Sequence, residues 1–140
     1  RLNQWGYRVV IATNQAGIGR GLYEMDTLNA IHDKMLKAVA HLGARIDAVF
    51  FCPHTNEDGC DCRKPKPGML EEIAARYNTD LNGVPVIGDS LRDLQAAAAM
   101  GALPMLVMTG KGVKTIDDPE LPPRTLVFPD LAAAVAHITA

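Results

Sequence analysis

The feature that most constrains this chain is the alternation of short β-branched apolar runs with longer segments whose apolar residues keep a helical period. Residues 8–12 (Arg-Val-Val-Ile-Ala), 46–52, 84–87, 105–108 and 125–128 read as strands. Nearly continuous apolar runs of this length suit strands buried on both faces. Between them, residues 27–42, 68–77, 91–100 and 131–138 read as helices. Leu28, Ile31, Met35, Val39 and Leu42 keep helical spacing in the first, and Met69, Leu70, Ile73 and Tyr77 in the second. Asp26 and Asp130 stand as N-caps, while Gly43 and Gly101 close the helices before them. Residues 1–6 read as the tail of a helix stopped by Gly6, and residues 109–124 as a Gly-, Pro- and Asp-rich loop. Strands and helices in this order, without a repeat or a linker, predict an α/β fold: one domain over residues 1–140, a doubly wound parallel sheet with helices on both faces.

In such sheets ligands bind outside the carboxyl ends of the strands. Thr13 and Asn14, Arg63 and Lys64, and Asp89 all follow a predicted strand or the loop it feeds. Thr13 offers a hydroxyl and Asn14 an amide suited to donating to a phosphoryl oxygen. Lys64 offers a compact positive charge, and Arg63 a planar fork that grips phosphate with two bonds. Asp89 suits Mg²⁺, which takes one or two carboxylates together with waters and phosphate oxygens. Each residue also has a plain structural use: Thr-Asn as a turn, Arg-Lys as a solvated loop, Asp89 as a helix cap. Asp93, one helical turn beyond Asp89, could orient a lysine or a metal-bound water, or be an exposed charge.

Residues 52–62 hold all three cysteines of the chain. Cys52, His54, Cys60 and Cys62 form a Cys-x-His-x5-Cys-x-Cys array, and three thiolates with one imidazole fill the tetrahedral shell of a structural zinc. The alternative is a buried thiol at Cys52 with two loop thiols. A fourth protein ligand leaves no place for water, so this zinc is expected to be structural.

Composition narrows the partners. Hydrophobic residues make up 48% and charged residues 21% of 140, an ordinary globular balance. No apolar run approaches a membrane span and no signal-peptide pattern opens the chain, so no membrane is expected and a reducing cytoplasmic location is. A net charge of −2 without a Lys/Arg block argues against nucleic acid and for a small-molecule partner. With no recognisable association element, a monomer is expected. The glycines at 17, 19 and 21 lack dinucleotide spacing, and residues 109–112 lack the upstream glycine of a Walker loop. His32, His41 and His137 are read as surface or packing residues.

With these residues in place, the chain resembles the haloacid dehalogenase (HAD) superfamily of phosphatases, and among them its zinc-containing, histidinol-phosphatase-like members. Residues 12–21 (Ala-Thr-Asn-Gln-Ala-Gly-Ile-Gly-Arg-Gly) resemble the second motif, Cys52-Pro53-His54 with residues 60–65 the zinc loop fused to the third, and residues 88–93 (Gly-Asp-Ser-Leu-Arg-Asp) the fourth. The resemblance implies a HAD-like Rossmannoid fold in which Thr13 and Lys64 stabilise the transferring phosphoryl group. Asn14, Gln15, Ala16 and Arg63 then contact the sugar phosphate, and Asp89 binds Mg²⁺. Ser90 stands where some relatives carry a substrate-contacting Lys. The implied activity is removal of the 7-phosphate from a heptose 1,7-bisphosphate in nucleotide-heptose (lipopolysaccharide core) biosynthesis. Histidinol phosphate is the alternative substrate, and a non-catalytic zinc-stabilised binding domain the alternative class.

The superfamily's first motif, an Asp-x-Asp pair giving the nucleophile and the general acid/base, does not occur in residues 1–140. It is expected upstream, on a strand and helix preceding Arg1, with that strand lying between those at 8–12 and 84–87. The implied mechanism is attack by the first Asp to give an aspartyl-phosphate, with the second Asp protonating the leaving sugar oxygen and then activating water. Residues 1–140 by themselves are expected to be inactive.

Overall fold

Strands form at the five expected places with bounds shifted by up to two residues, the fourth at Leu103–Val107 where residues 105–108 are expected, and every pairing is parallel. The computed structural model describes residues 1–140, the side chains of Ala16 and Asn56 lying outside the described residues. Strand β1 (Val10–Asn14) pairs with β2 (Ala48–Cys52), and β3 (Pro85–Gly88) with β4 (Leu103–Val107), which pairs with β5 (Leu126–Phe128). These make one two-stranded and one three-stranded sheet, ordered β1-β2 and β3-β4-β5. The chain divides into two compact units, Arg1–Arg63 and Lys64–Ala140, each containing one sheet.

In the first unit, a 3₁₀ turn at Asn3–Trp5 ends on Gly6, whose φ of +83° is the left-handed stop expected there. Strand β1 begins two residues later than predicted and runs on through Thr13 and Asn14, because its ladder with β2 continues until Asn14 lies opposite Cys52. The short helix α1 (Ala16–Gly19) takes up the first part of the glycine-rich stretch that ends at Gly21. Helix α2 (Met25–His41) starts earlier than expected, with Glu24 at its N-cap in place of Asp26. Asp26 falls in the first turn instead, where a negative charge meets the unsatisfied N–H groups.

The inward stripe of α2 runs through Leu28, His32, Met35 and Val39; Leu28 is buried and the others are half-buried. The His32 ring sets its edge on Phe51, centroids 6.0 Å apart, and so takes the inward place that Ile31 was expected to hold. Ile31 is 54% exposed. Leu42, at 84%, is the residue that ends the helix, beyond its last full turn.

The second unit holds most of the buried apolar side chains. Helix α3 (Gly68–Arg76) buries Met69 and Leu70. Helix α4 (Leu91–Ala99) packs on β3 and β4, with Leu94, Ala96 and Ala97 buried; alanines let a helix approach a sheet closely. Met105, Leu106 and Val107 of β4, the central strand, are buried as well. Residues 109–124, read as loop, contain the one-turn helix α5 (Gly112–Thr115). Helix α6 (Leu131–Ile138) packs on the sheet and is capped as predicted, the Asp130 carboxylate accepting from the Ala133 N–H at 2.8 Å. Among the described residues, no helix is long and apolar enough to cross a membrane.

Candidate functional site

Parallel pairing brings the carboxyl ends of β1 and β2 to one edge of the first sheet, and those of β3, β4 and β5 to one edge of the second. The polar residues singled out in the sequence lie at these two edges, and each edge is described in turn.

At the first edge, the Gln15 N–H donates to the Cys52 carbonyl at 2.7 Å, extending the ladder one residue past β1. This fixes the backbone from which the Thr13 and Gln15 side chains project. The Gln15 amide donates from Nε2 to Thr13 Oγ1 at 3.1 Å, while its Oε1 accepts from the Tyr23 hydroxyl. Thr13 Oγ1 in turn donates to the Asn14 carbonyl at 3.3 Å. Ala16, also expected at the substrate, has its side chain outside the described residues.

Beyond β2, a 3₁₀ turn at Asn56–Asp58, whose N-cap Thr55 forms a capping box with Asp58, folds the loop back so that all four predicted metal ligands meet. One ligand atom from each of Cys52, His54, Cys60 and Cys62 lies within 4.8 Å of the others. Cys52 Sγ is 3.6 Å from His54 Nδ1 and 3.5 Å from Cys60 Sγ; Cys62 Sγ is 3.5 Å from His54 Nδ1 and 3.6 Å from Cys60 Sγ. A tetrahedron with zinc–sulfur bonds of about 2.3 Å has edges of about 3.8 Å. These four separations therefore fit a zinc shell to within a few tenths of an ångström. Cys52 and Cys62 are closer, at 2.6 Å, so metal entry has to part them.

The thiols do not titrate alike. Burial opposes charging Cys60, but the Arg63 backbone N–H and hydrogen bonds from Cys52, Cys62 and His54 outweigh it and hold the thiol down at about 6. Burial, with the hydrogen bonds and charge of Cys52 and Cys60, pushes Cys62 up to about 12. A cluster that ionises one thiol at the expense of another is one that a cation would relieve. Arg63 is tied to the same loop: only 8% exposed, it donates from Nη1 to the His54 carbonyl at 3.3 Å.

At the second edge, Lys64 Nζ pairs with Asp93 Oδ1, each side chain 15% exposed. Asp93 also caps its own helix, its Oδ2 accepting from the Ser90 hydroxyl at 3.0 Å and the Ser90 N–H at 3.3 Å. The cap of α4 is therefore Ser90 with Asp93, and Asp89 is released from the capping use open to it in the sequence. Of the two roles open to Asp93, lysine partner and exposed charge, it takes the first. Gly88 makes this possible: a Cβ there would stand 2.4 to 2.7 Å from the Asp93 Cβ and carboxylate.

Asp89 Oδ2 accepts from the Lys111 N–H at 2.9 Å, and its carbonyl accepts from Thr115 Oγ1 at 2.8 Å. Sequence reasoning missed these two supports. Residues 109–112 fall within a stretch that reads as loop and lack the Walker pattern; the usable signal is a Gly-Lys-Gly turn following a strand next to β3.

Known proteins resemble this chain in both sequence and fold. The HAD-hydrolase-like family matches residues 61–134, and the polynucleotide kinase 3 phosphatase family matches residues 1–91. The chain is 56% identical over 138 residues to D-glycero-β-D-manno-heptose-1,7-bisphosphate 7-phosphatase of Bordetella bronchiseptica, covering 99% of this chain and 77% of that protein. It is 50% identical to the protein of the same name from Pseudomonas aeruginosa, with the same coverage. The crystal structure of D,D-heptose 1,7-bisphosphate phosphatase from B. bronchiseptica, complexed with magnesium and phosphate, is similar with a TM-score of 0.97 at 56% identity, covering 99% of this chain and 78% of that one.

Proposed function

The chain belongs to the HAD-like hydrolase family, and from that membership we propose that it removes the 7-phosphate of D-glycero-β-D-manno-heptose 1,7-bisphosphate, a step of nucleotide-heptose biosynthesis. The observation that carries the proposal is the 56% identity over 99% of the chain to an enzyme of that name. The β anomer is part of the proposal, supported by the β-heptose in the names of the relatives that are 50–56% identical.

The residue roles are part of the proposal. The Thr13 hydroxyl and the Lys64 ammonium meet the transferring phosphoryl group, where preorganised donors and charge count most. Arg63 and the residues from Asn14 to Ala16 hold the sugar phosphate, and Ser90, which follows Asp89 in the sequence, is proposed as a further substrate contact. Asp89 is the proposed magnesium ligand: with Oδ2 held by the Lys111 N–H, Oδ1 is the atom assigned to the metal. When bound, magnesium supplies charge neutralisation at the phosphate oxygens. The attacking carboxylate and the general acid/base are proposed to be an Asp-x-Asp pair, which residues 1–140 do not contain.

Zinc is proposed at Cys52, His54, Cys60 and Cys62, supported by the donor set and the four separations near a tetrahedral edge. Its role is structural, holding the loop whose His54 carbonyl receives Arg63. Free thiols suit a reducing compartment such as the cytoplasm. A monomer is proposed as the working state.

The test is phosphate release from the heptose 1,7-bisphosphate in the presence of Mg²⁺ by protein that also carries the Asp-x-Asp pair, with the product analysed for the phosphate that remains. A heptose 1-phosphate product is expected. A 7-phosphate product, or faster turnover of histidinol phosphate, would overturn the assignment.

A further inference from the structure

We propose that Tyr23 is a positioning residue for phosphoryl transfer: acting through the Gln15 amide, it aims the Thr13 hydroxyl at the phosphate. This rests on the reading that Thr13 meets the phosphoryl group.

The geometry is a line of three side chains. The Tyr23 hydroxyl donates to Gln15 Oε1, and Gln15 Nε2 donates to Thr13 Oγ1 at 3.1 Å. All three side chains are half-buried. The Gln15 backbone is anchored by its N–H to the Cys52 carbonyl at 2.7 Å, so the side chain starts from a fixed point on the sheet edge. Tyr23 is brought back over α1 by the Leu22 N–H, which donates to the Gly17 carbonyl at 2.8 Å. The ring then lies directly on Gly17. A Cβ at Gly17 would stand 2.1 Å from Cε1, 2.7 Å from Cζ and 2.9 Å from the hydroxyl oxygen of Tyr23. Gly17, one of three glycines that lack dinucleotide spacing, leaves the space that the tyrosine ring fills.

The chemical consequence lies in which end of an amide faces Thr13. A threonine hydroxyl has one proton and two lone pairs. With the Gln15 NH₂ filling one lone pair, the hydroxyl has only its proton to give, and it gives it to the adjacent Asn14 carbonyl at 3.3 Å. That bond is long, and an anionic phosphoryl oxygen is a stronger acceptor. If the amide were turned round, Thr13 would donate to Gln15 Oε1 and its proton would be lost to the phosphate. A phenol donates more strongly than it accepts, so Tyr23 favours the amide orientation that turns Oε1 toward it, and bonds aligned in one direction polarise one another, from Tyr23 through Gln15 and Thr13 to the phosphoryl oxygen.

A double-mutant cycle on the enzyme, assayed with the heptose 1,7-bisphosphate, tests this. Tyr23→Phe keeps the ring on Gly17 and removes only the donor; it is expected to lower kcat by about three- to tenfold with little change in KM, the scale of one hydrogen bond. Thr13→Val is expected to lower kcat by about a hundredfold or more, the scale of one lost transition-state donor. In the Thr13→Val background, Tyr23→Phe should cost nothing further. Gly17→Ala, whose Cβ displaces the ring, should show the same loss and the same silence on Thr13→Val, with folding of each variant checked by thermal melting. An equal loss from Tyr23→Phe in both backgrounds would make Tyr23 a packing residue and overturn the proposal alone. An unchanged kcat in Thr13→Val would overturn both the proposal and the role of Thr13.

Discussion

Lys64 Nζ lies 2.5 Å from Asp93 Oδ1, and the other oxygen of the same carboxylate closes the capping box of α4 with Ser90. One carboxylate thus orients a cation from a loop and terminates the helix that follows Asp89. The helix fixes the carboxylate, and the carboxylate fixes the ammonium.

Lys64→Ala is expected to lower kcat by about two to three orders of magnitude, the cost of one preorganised charge at the phosphoryl group. Asp93→Asn keeps the lysine's charge but loses its orientation, so about a tenfold loss is expected. The same change should destabilise the fold by about 1 to 2 kcal/mol, since a cap and a largely buried pair are weakened together. Because the two residues act as one unit, the double variant should be no slower than Lys64→Ala. Steady-state kinetics and urea unfolding of the three variants check this, and an additive loss in the double variant would count against the pairing as the route of action.

Gly88→Ala tests the same pair from the other side. The new methyl would sit 2.4 Å from the Asp93 Cβ and 2.5 Å from its Oδ2, too close for the carboxylate to stay. Kinetics are expected to resemble those of Asp93→Asn, with kcat down by about tenfold. Wild-type kcat in this variant would show that the enzyme tolerates a displaced Asp93.

The strands and their order of polar termini were legible because β-branched runs and 3.6-residue spacing are local properties. The Cys/His cluster was legible because four residues of two coordinating types, three Cys and one His, fell within eleven positions. What escaped was long-range or register-dependent. Thr13 and Asn14 close β1 because a ladder with residues nearly forty positions away continues through them, and spacing carries no such information. Ile31 lost the inward place on α2 to His32 because the ring finds Phe51 of another strand. Lys111 and Thr115 reach Asp89 across 22 and 26 residues from a segment whose composition reads only as loop.

Zinc uptake should release protons. Cys60, held at about 6, is already a thiolate at pH 7.5, whereas Cys62, pushed up to about 12, is still a thiol and must lose its proton to bind. Affinity should therefore rise with pH through the neutral range and fall more steeply below about pH 6, where Cys60 protonates as well. Calorimetry at pH 7.5 in buffers of different ionisation enthalpy should give at least about one proton released per zinc. Protein purified without chelator should carry about one equivalent of zinc. Less than half an equivalent, or no proton release, would speak against thiolate coordination.

The final prediction concerns how Asp89 is held for magnesium. Its carbonyl accepts from the buried Thr115 hydroxyl at 2.8 Å, and its Oδ2 from the Lys111 N–H at 2.9 Å; both supports come from the segment around α5. Thr115→Val keeps the shape of the side chain and removes the hydroxyl, leaving a carbonyl without its donor and α5 without its tie to the end of β3. Stability should fall by about 1 to 3 kcal/mol, the cost of an unsatisfied buried acceptor. Thr115 touches no substrate in this reading, so kcat at saturating Mg²⁺ should stay within about twofold of wild type. The Mg²⁺ concentration for half-maximal activity should rise about three- to tenfold, because the ligand is less well preorganised, an effect of the size seen when outer partners of metal ligands are removed. Thr115→Ser, which restores the hydroxyl, should recover most of the magnesium affinity. Phosphate release measured across a magnesium titration decides the matter, since a change confined to kcat with an unshifted midpoint would place Thr115 outside the support of Asp89.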